Sequence, residues 1–316
     1  MLNLSGQVRV RELDVLSPMP NALRAPERTS AWGLANKLGE RIEGFIEGPT
    51  FLPDGRLAVT DIPFGRVLAI APDGTWDVLA TYDGEPNGMA LDREGGALVI
   101  ADYARGLLRL DLTSGDVRPL LARRNSEGFK GLNDVVRAPG SDTLYFTDQG
   151  QTGLQDPTGR VYRLAGERLD LLISNGVSPN GLALTPDGSV LFVAMTRDNS
   201  VWRLPLRPDG GTSKVGRFCQ LFGTSGPDGM AMTVSGELLV AHASLGSVFR
   251  YAPNGELVER LVSSVGTTVT NLAFDPADPH RLVVTESASN TVLTTTLDVP
   301  GLVEAPSTVA TAQEKS

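Results

Sequence analysis

The chain has 316 residues, 41% of them hydrophobic and 21% charged, with a formal net charge of −9 and an isoelectric point near 4.9. No Lys/Arg cluster is dense enough to offset that acidic field, which excludes nucleic acid as a partner and discourages adsorption to anionic membranes. Aliphatic residues recur throughout, so a folded core is expected rather than disorder, and no apolar run approaches the roughly 18–20 residues of a spanning helix.

The first segment, Met1 to Glu12, places Arg9 and Arg11 among alternating aliphatics and has no continuous apolar stretch of the secretory type, so a cytoplasmic location is expected. Pro18 to Thr29 reads as a loop or short helix, and residues 1–36 as an N-terminal extension packing on the main domain. Cys219 is the one cysteine; an internal disulfide is excluded, and it reads as a small buried side chain.

From residue 47 onward the chain repeats itself. Six segments pair a polar residue, usually beside Gly or Pro, with an alternating apolar run: Glu47-Gly-Pro-Thr-Phe, Asn87-Gly-Met-Ala-Leu-Asp, Asn133-Asp-Val-Val, Asn180-Gly-Leu-Ala-Leu-Thr, Asp228-Gly-Met-Ala-Met-Thr and Asn271-Leu-Ala-Phe-Asp. They follow one another at intervals of 40, 46, 47, 48 and 43 residues. Each is followed by a turn such as Pro53-Asp-Gly or Pro186-Asp-Gly, then a β-rich run such as Leu98-Val-Ile-Ala-Asp or Leu238-Leu-Val-Ala-His, then a third alternating run such as Val201-Trp-Arg-Leu.

A period of this length holding several short strands is one four-stranded propeller blade. The predicted fold is therefore all-β, a six-bladed β-propeller over residues 37–302 with four antiparallel strands per blade. The sixth copy ends near Asp298 with three strands, so an N-terminal strand must close the ring; residues 37–46 are favoured and Val8 to Leu16 is the alternative. Residues 303–316 read as a polar, mobile tail, and Arg123–Lys130 and Asp148–Pro157 as long loops over one face.

In a propeller the first strand of each blade lines the central channel, so the six residues opening these strands converge at one end. Glu47, Asn87, Asn133, Asn180, Asp228 and Asn271 supply two carboxylates and four amides, hard oxygen donors with a summed charge of −2. One divalent cation is expected among them: calcium first, magnesium or manganese next, zinc least suited. A second ring ends the second strands, at Asp61, Asp102, Asp148, Thr196, His242 and Glu286. His242 could serve proton transfer there, while Asp148 and Asp102 could bind the metal through water or support its ligands; Asp before a turn is also common for purely structural reasons.

On Glu47-Gly-Pro, Asn133-Asp, Phe146-Thr-Asp, Gly159-Arg-Val-Tyr, Ser178-Pro-Asn-Gly-Leu-Ala and Gly226-Pro-Asp-Gly, the chain resembles the family of senescence marker protein, gluconolactonase and the drug-responsive bacterial lactonases. Paraoxonase and diisopropylfluorophosphatase are more distant kin, and the likeness covers about residues 40 to 300. The resemblance implies that Glu47, Asn180 and Asp228 bind the metal and that Asn133 either ligates it or contacts substrate. Asn87 stands where distant members place a catalytic His, and Gly229 where some relatives have Ser or Asn.

The activity implied is hydrolysis of a small sugar-derived or aliphatic lactone, with Asp228 as general base or nucleophile, Asn133 as its catalytic partner, and Asn87, Asp148, His242 and Asn271 facing the substrate. An organophosphate or aryl-ester hydrolase is the alternative, which loops richer in aromatics would favour; here aromatics total only 6%, and Trp32, Phe45, Phe64, Tyr103 and Phe129 are the few candidates for a lid. A non-catalytic binding propeller is the third reading, against which the absence of repeated Trp-Asp or Gly-His signatures counts. Monomer and homo-oligomer are equally compatible with the sequence.

Overall fold

The computed structural model describes residues 8–25 and 29–303. Six antiparallel sheets follow one another along the chain, each running from the channel outward in sequence order. The first blade is Ile46–Phe51, Leu57–Asp61, Arg66–Ile70 and Trp76–Thr81; the second is Pro86–Leu91, Ala97–Asp102, Gly106–Asp111 and Val117–Leu121. Leu132–Arg137, Leu144–Asp148, Gly159–Ala165 and Arg168–Gly176 make the third, and Pro179–Leu184, Val190–Met195, Ser200–Pro205 and Gly216–Gln220 the fourth. The fifth holds Pro227–Met232, Leu238–His242, Ser247–Tyr251 and Leu257–Val262, and the sixth Val269–Phe274, Arg281–Glu286 and Thr291–Thr296.

The strand that completes the sixth blade is Asp14–Pro18, antiparallel to Thr291–Thr296. This corrects the favoured assignment: residues 37–45 form no strand, whereas the alternative segment closes the ring and does more. Arg9–Glu12 adds a fifth strand, parallel, to the outside of the fifth blade. The chain thus grips two blades in succession, with Leu13 between them donating its N–H to the Val262 carbonyl at 2.8 Å and its side chain fully buried. Pro18 to Thr29 contains a short 3-10 turn at Asn21–Leu23. Of the expected tail, all but Val303 lies outside the described residues.

The core consists of six apolar layers, each sandwiched between two neighbouring blades. The layer between the second and third blades holds Ala90, Val99, Leu107, Val135, Phe146 and Tyr162, and that between the sixth and first holds Val283, Val292, Ile46, Val59, Leu68 and Trp76. Strands buried on both faces read as near-continuous apolar runs, which is why Val190–Met195 is apolar throughout and wholly buried. Trp76 also donates its indole N–H to Ser17 Oγ at 2.8 Å, pinning the first blade to the closing strand.

Leu13→Ala removes a fully buried side chain from the layer between the fifth and sixth blades and is expected to cost about 2–5 kcal/mol. Val15→Ala, 49% exposed on the closing strand, should stay within about 0.5 kcal/mol; urea unfolding of both variants checks the difference, and equal midpoints would show that the N-terminal strand does not close the ring.

Candidate functional site

Every innermost strand carries a β-bulge near its start. The register slips between Glu47 and Thr50, Pro86 and Met89, Leu132 and Val135, Pro179 and Leu182, Pro227 and Met230, and Val269 and Asn271. A bulge takes residues off the ladder and re-aims their side chains. Here it releases the strand-opening positions from strict alternation and turns them toward the axis. Glu47, Asn87, Asn133, Asn180 and Asp228 line one cavity of about 150 Å³, as expected.

The sixth residue is corrected by one position. The ladder pairs the residue before each opener with the end of the second strand: Ile46 with Asp61, Pro86 with Asp102, Leu132 with Asp148, Pro179 with Met195, Pro227 with His242. In the sixth blade this residue is Val269, opposite Glu286. Thr270 is therefore the opener and lines the cavity, whereas Asn271, expected to face substrate, lies one layer deeper. There its Nδ2 donates to Glu47 Oε2 at 2.8 Å.

That deeper layer consists of Gly48, Gly88, Asp134, Gly181, Gly229 and Asn271. A Cβ on Gly88 would come within 1.9 Å of Asp134 Oδ1, and one on Gly229 within 2.1 Å of Asn271 Oδ1. The glycines make room for two polar side chains beneath the cavity. Asp134, to which the sequence reading gave no role, is the residue it missed; the signal was a carboxylate at a position that is glycine in four of six repeats.

Asp148 and His242 are also corrected, since neither lines the cavity and both are fully buried. The second ring is a set of latches. Asp61 accepts the Phe45 N–H at 2.9 Å, Asp102 that of Glu85 at 2.9 Å, Asp148 those of Lys130 at 2.7 Å and Gly131 at 2.9 Å, and Glu286 that of Thr268 at 2.8 Å. In each of these four blades the tethered backbone includes the residue two before the opener, so each carboxylate fixes the approach to its own channel residue. His242 instead receives the Ser244 N–H at 3.4 Å and packs its ring edge-to-face against Phe249; burial pushes its imidazole pKa down, favouring the neutral form.

Charge concentrates on the axis. Burial raises the pKa of Glu47, partly opposed by the Gly48 N–H and the Asn271 amide. Burial and then the Glu47 charge lift Asp134 to about 7. Asp228 is raised well above the ordinary carboxyl value, by burial and then by the charges of Glu47 and Asp134, against the opposing influences of Lys37 and Asn180. Beside them Asn133 commits its Nδ2 to Gln149 Oε1 at 3.0 Å, and Gln149 Nε2 donates to Ser178 Oγ at 3.0 Å. The oxygen of Asn133 is then the atom it can offer to the cavity. Ser178 sits at φ 58°, a left-handed conformation uncommon for serine.

The family described as SMP-30/Gluconolactonase/LRE-like region matches residues 45–288, spanning all six inner strands up to the latch of the sixth blade. The chain belongs to the SMP-30/gluconolactonase/LRE-like family. Protein strictosidine synthase-like 10 of Arabidopsis thaliana is 29% identical over 234 residues, 69% of this chain but 62% of its own length. The gluconolactonase of Zymomonas mobilis subsp. mobilis is 26% identical over 260 residues, 72% of each chain. Among solved structures, a gluconolactonase from Xanthomonas campestris superposes with a TM-score of 0.70 at 25% identity, covering 93% of this chain and all of that one.

In this SMP-30/gluconolactonase-like chain a lid covers the mouth of the cavity. Helix α1, Ala31–Asn36, is capped by Ser30 Oγ, which accepts the Gly33 N–H at 3.0 Å. Its Trp32 packs on Phe45 at 4.9 Å between ring centroids, with Ile62 beneath. Trp32, Phe45 and Tyr103 line the cavity; Phe64 and Phe129, also expected at the lid, do not, Phe129 packing on Phe146 and Tyr162 instead. A larger cavity of about 270 Å³ at the opposite end of the channel, bordered by Met89, Met230, Phe274 and Leu302, gathers no group of carboxylates. No helix among the described residues is long and apolar enough to cross a membrane.

Two outcomes follow from the crowded axis. A raised carboxyl pKa means that the folded chain holds its proton at pH values where the unfolded chain has released it. In chelator, the contribution of Asp134 to stability is therefore greatest on the acid side and falls as pH climbs from the ordinary Asp value of 3.8 through about 7. Asp134→Asn should flatten that decline and raise the melting temperature at pH 8 by several degrees; thermal unfolding in chelator checks it, and parallel curves for the two proteins would remove the repulsion. Gly88→Ala, by pushing Asp134 aside, should cost roughly 1–3 kcal/mol in urea unfolding, whereas Gly55→Ala, where no atom lies within 4 Å, pays only for its positive φ.

Proposed function

We propose that this chain is a metal-dependent lactonase opening a small, sugar-derived or aliphatic lactone to its hydroxy acid. The observation carrying the proposal is that Glu47 and Asp228 line one cavity with Asp134 in the layer directly beneath, close enough for their charges to oppose one another, while Lys37 counters Asp228. Buried like charges of this kind call for a cation. Among the described residues no three His, Cys, Asp or Glu side chains meet closely enough to hold an ion by themselves, so the donor set has to include amide oxygens. Glu47, Asn180 and Asp228 would hold the ion with Asn133 beside them, an all-oxygen set suited to calcium and, after it, to magnesium or manganese, with zinc least favoured. Bound there, such an ion supplies Lewis acidity to a carbonyl oxygen.

The chain's own groups account for the remaining requirements. Asp228 is half-buried and opens onto the cavity, placed to take the proton of an attacking water as general base. Gln149 and Ser178 hold Asn133 in one orientation, so its oxygen is preset rather than free to rotate. Asn87, on the cavity wall, is free to hydrogen-bond the hydroxyls of a sugar-derived ring. Trp32, Phe45 and Tyr103 cover the mouth with apolar surface and limit water to the reacting one. The gluconolactonase relatives support lactone hydrolysis as the reaction.

Asp228→Asn keeps the shape and removes the base; kcat/KM for an aldonolactone panel should drop about 10³-fold. Chelator should abolish turnover by the unaltered protein and calcium restore it. An unchanged rate in the variant removes Asp228 from the chemistry, and hydrolysis of a phosphotriester with no turnover of any lactone would replace the reading.

A further inference from the structure

The cavity is acidic at its floor and cationic at its rim. Lys37, directly after α1, lines the mouth with its ammonium 4.2 Å from the Phe45 ring centroid and 5.9 Å from that of Trp32. Arg197 follows the second strand of the fourth blade and lines both this cavity and an adjoining polar cavity of about 380 Å³. Neither side chain forms a salt bridge among the described residues. The two cavities share Asn36, Gln149, Ser178 and Arg197, so they form one continuous groove running from the axis over the third and fourth blades. Beyond Arg197 its wall is amide-rich, with Gln151 Nε2 donating to Tyr103 Oη at 2.8 Å and to Asn36 Oδ1 at 3.2 Å.

An uncharged lactone would gain nothing from two cations at the rim, and an anionic group near the floor would meet three carboxylates. A substrate with its ester at the axis and a negative charge several bonds away meets both ends favourably. Lys37 stands against aromatic faces that withhold water from it, so an anionic partner there acts in a poorly screened setting. The guanidinium of Arg197 offers a planar fork to two oxygens of one group.

Building on the lactonase reading, we propose that the substrate is an anionic lactone, whose carboxylate or phosphate docks between Lys37 and Arg197 while its polar chain lies along the amide-lined groove. Specificity then resides in the lid and the loop after the fourth blade's second strand, apart from the residues that open the ring.

The experiment compares a neutral aldonolactone with the same lactone bearing a terminal carboxylate and, separately, a terminal phosphate. The anionic substrates should show kcat/KM at least about tenfold higher, a preference that shrinks as salt is raised. Arg197→Gln should reduce the anionic preference about tenfold, mainly through KM, and Arg197→Lys should restore part of it. Equal kcat/KM for neutral and anionic lactones, or equal losses on both in the variants, overturns the proposal while leaving lactone hydrolysis intact. A binding measurement separates the two ideas when nothing is hydrolysed: titration of the unaltered protein with the phosphate-bearing hydroxy acid, followed by calorimetry. Saturable binding weakened about tenfold by Arg197→Gln supports the subsite; no saturation, or identical curves, overturns it.

Discussion

The mutual repulsion of Glu47, Asp134 and Asp228 is the constraint around which the molecule is arranged. Three carboxyl groups this close, two of them buried and the third opening onto the cavity, stay together only because something stronger holds the backbone that carries them. The six apolar layers between blades supply that force. Each layer bonds a blade to its neighbour rather than to a common centre, so the channel is left free for polar side chains while the ring around it is rigid. The latches at Asp61, Asp102, Asp148 and Glu286 add positional control just ahead of the channel residues.

The N-terminal segment links closure of the ring to cover of the site. It extends the fifth blade, completes the sixth, and then crosses to the mouth as α1. Its hold on the fifth blade is ionic as well as apolar: Arg11 reaches Glu259 at 2.7 Å, and Glu259 is shared with buried Arg250, which also binds Glu237 at 2.7 Å and Asp298 at 2.7 Å. Removal of one partner from such a buried network strands a charge, which costs more than the pair contributes. The same segment then delivers Lys37, the cation nearest the acidic floor. Ring closure and the lid are thus carried by one segment of the chain.

Much of this was legible from residue order. The repeat interval gave the blade, the alternation within it gave the strands, and the polar residue heading each repeat identified five of the six side chains on the cavity wall. Asn271 and the ring-closing strand were misplaced for related reasons. In the sixth repeat a threonine stands where the others have Asn, Asp or Glu, and the eye aligns the nearest amide; only the ladder opposite Glu286 shows the shift. Asp14–Pro18 is a short edge strand with four of its five residues exposed, and it carries no pattern that distinguishes it from a loop. Asp148 and His242 looked like site residues because their place in the repeat is shared with the latches, and a carboxylate that ties down a loop is written in sequence like one that binds an ion.

Periodicity is local information, and it determined the architecture, the number of blades and five of the six side chains that open the inner strands toward the axis. What only the tertiary structure decided is which polar atoms are already spoken for: Asp148 by two backbone N–H groups, Asn271 by Glu47, the Nδ2 of Asn133 by Gln149, and Asp134 by the backbone N–H groups of Val135 and, across the blades, Leu182. It also brought Lys37 and Arg197, 160 positions apart, to one rim. A hydrogen bond or a Coulomb interaction depends on distances across the ring, and those are fixed by how blades pack, not by the order of residues along any one of them.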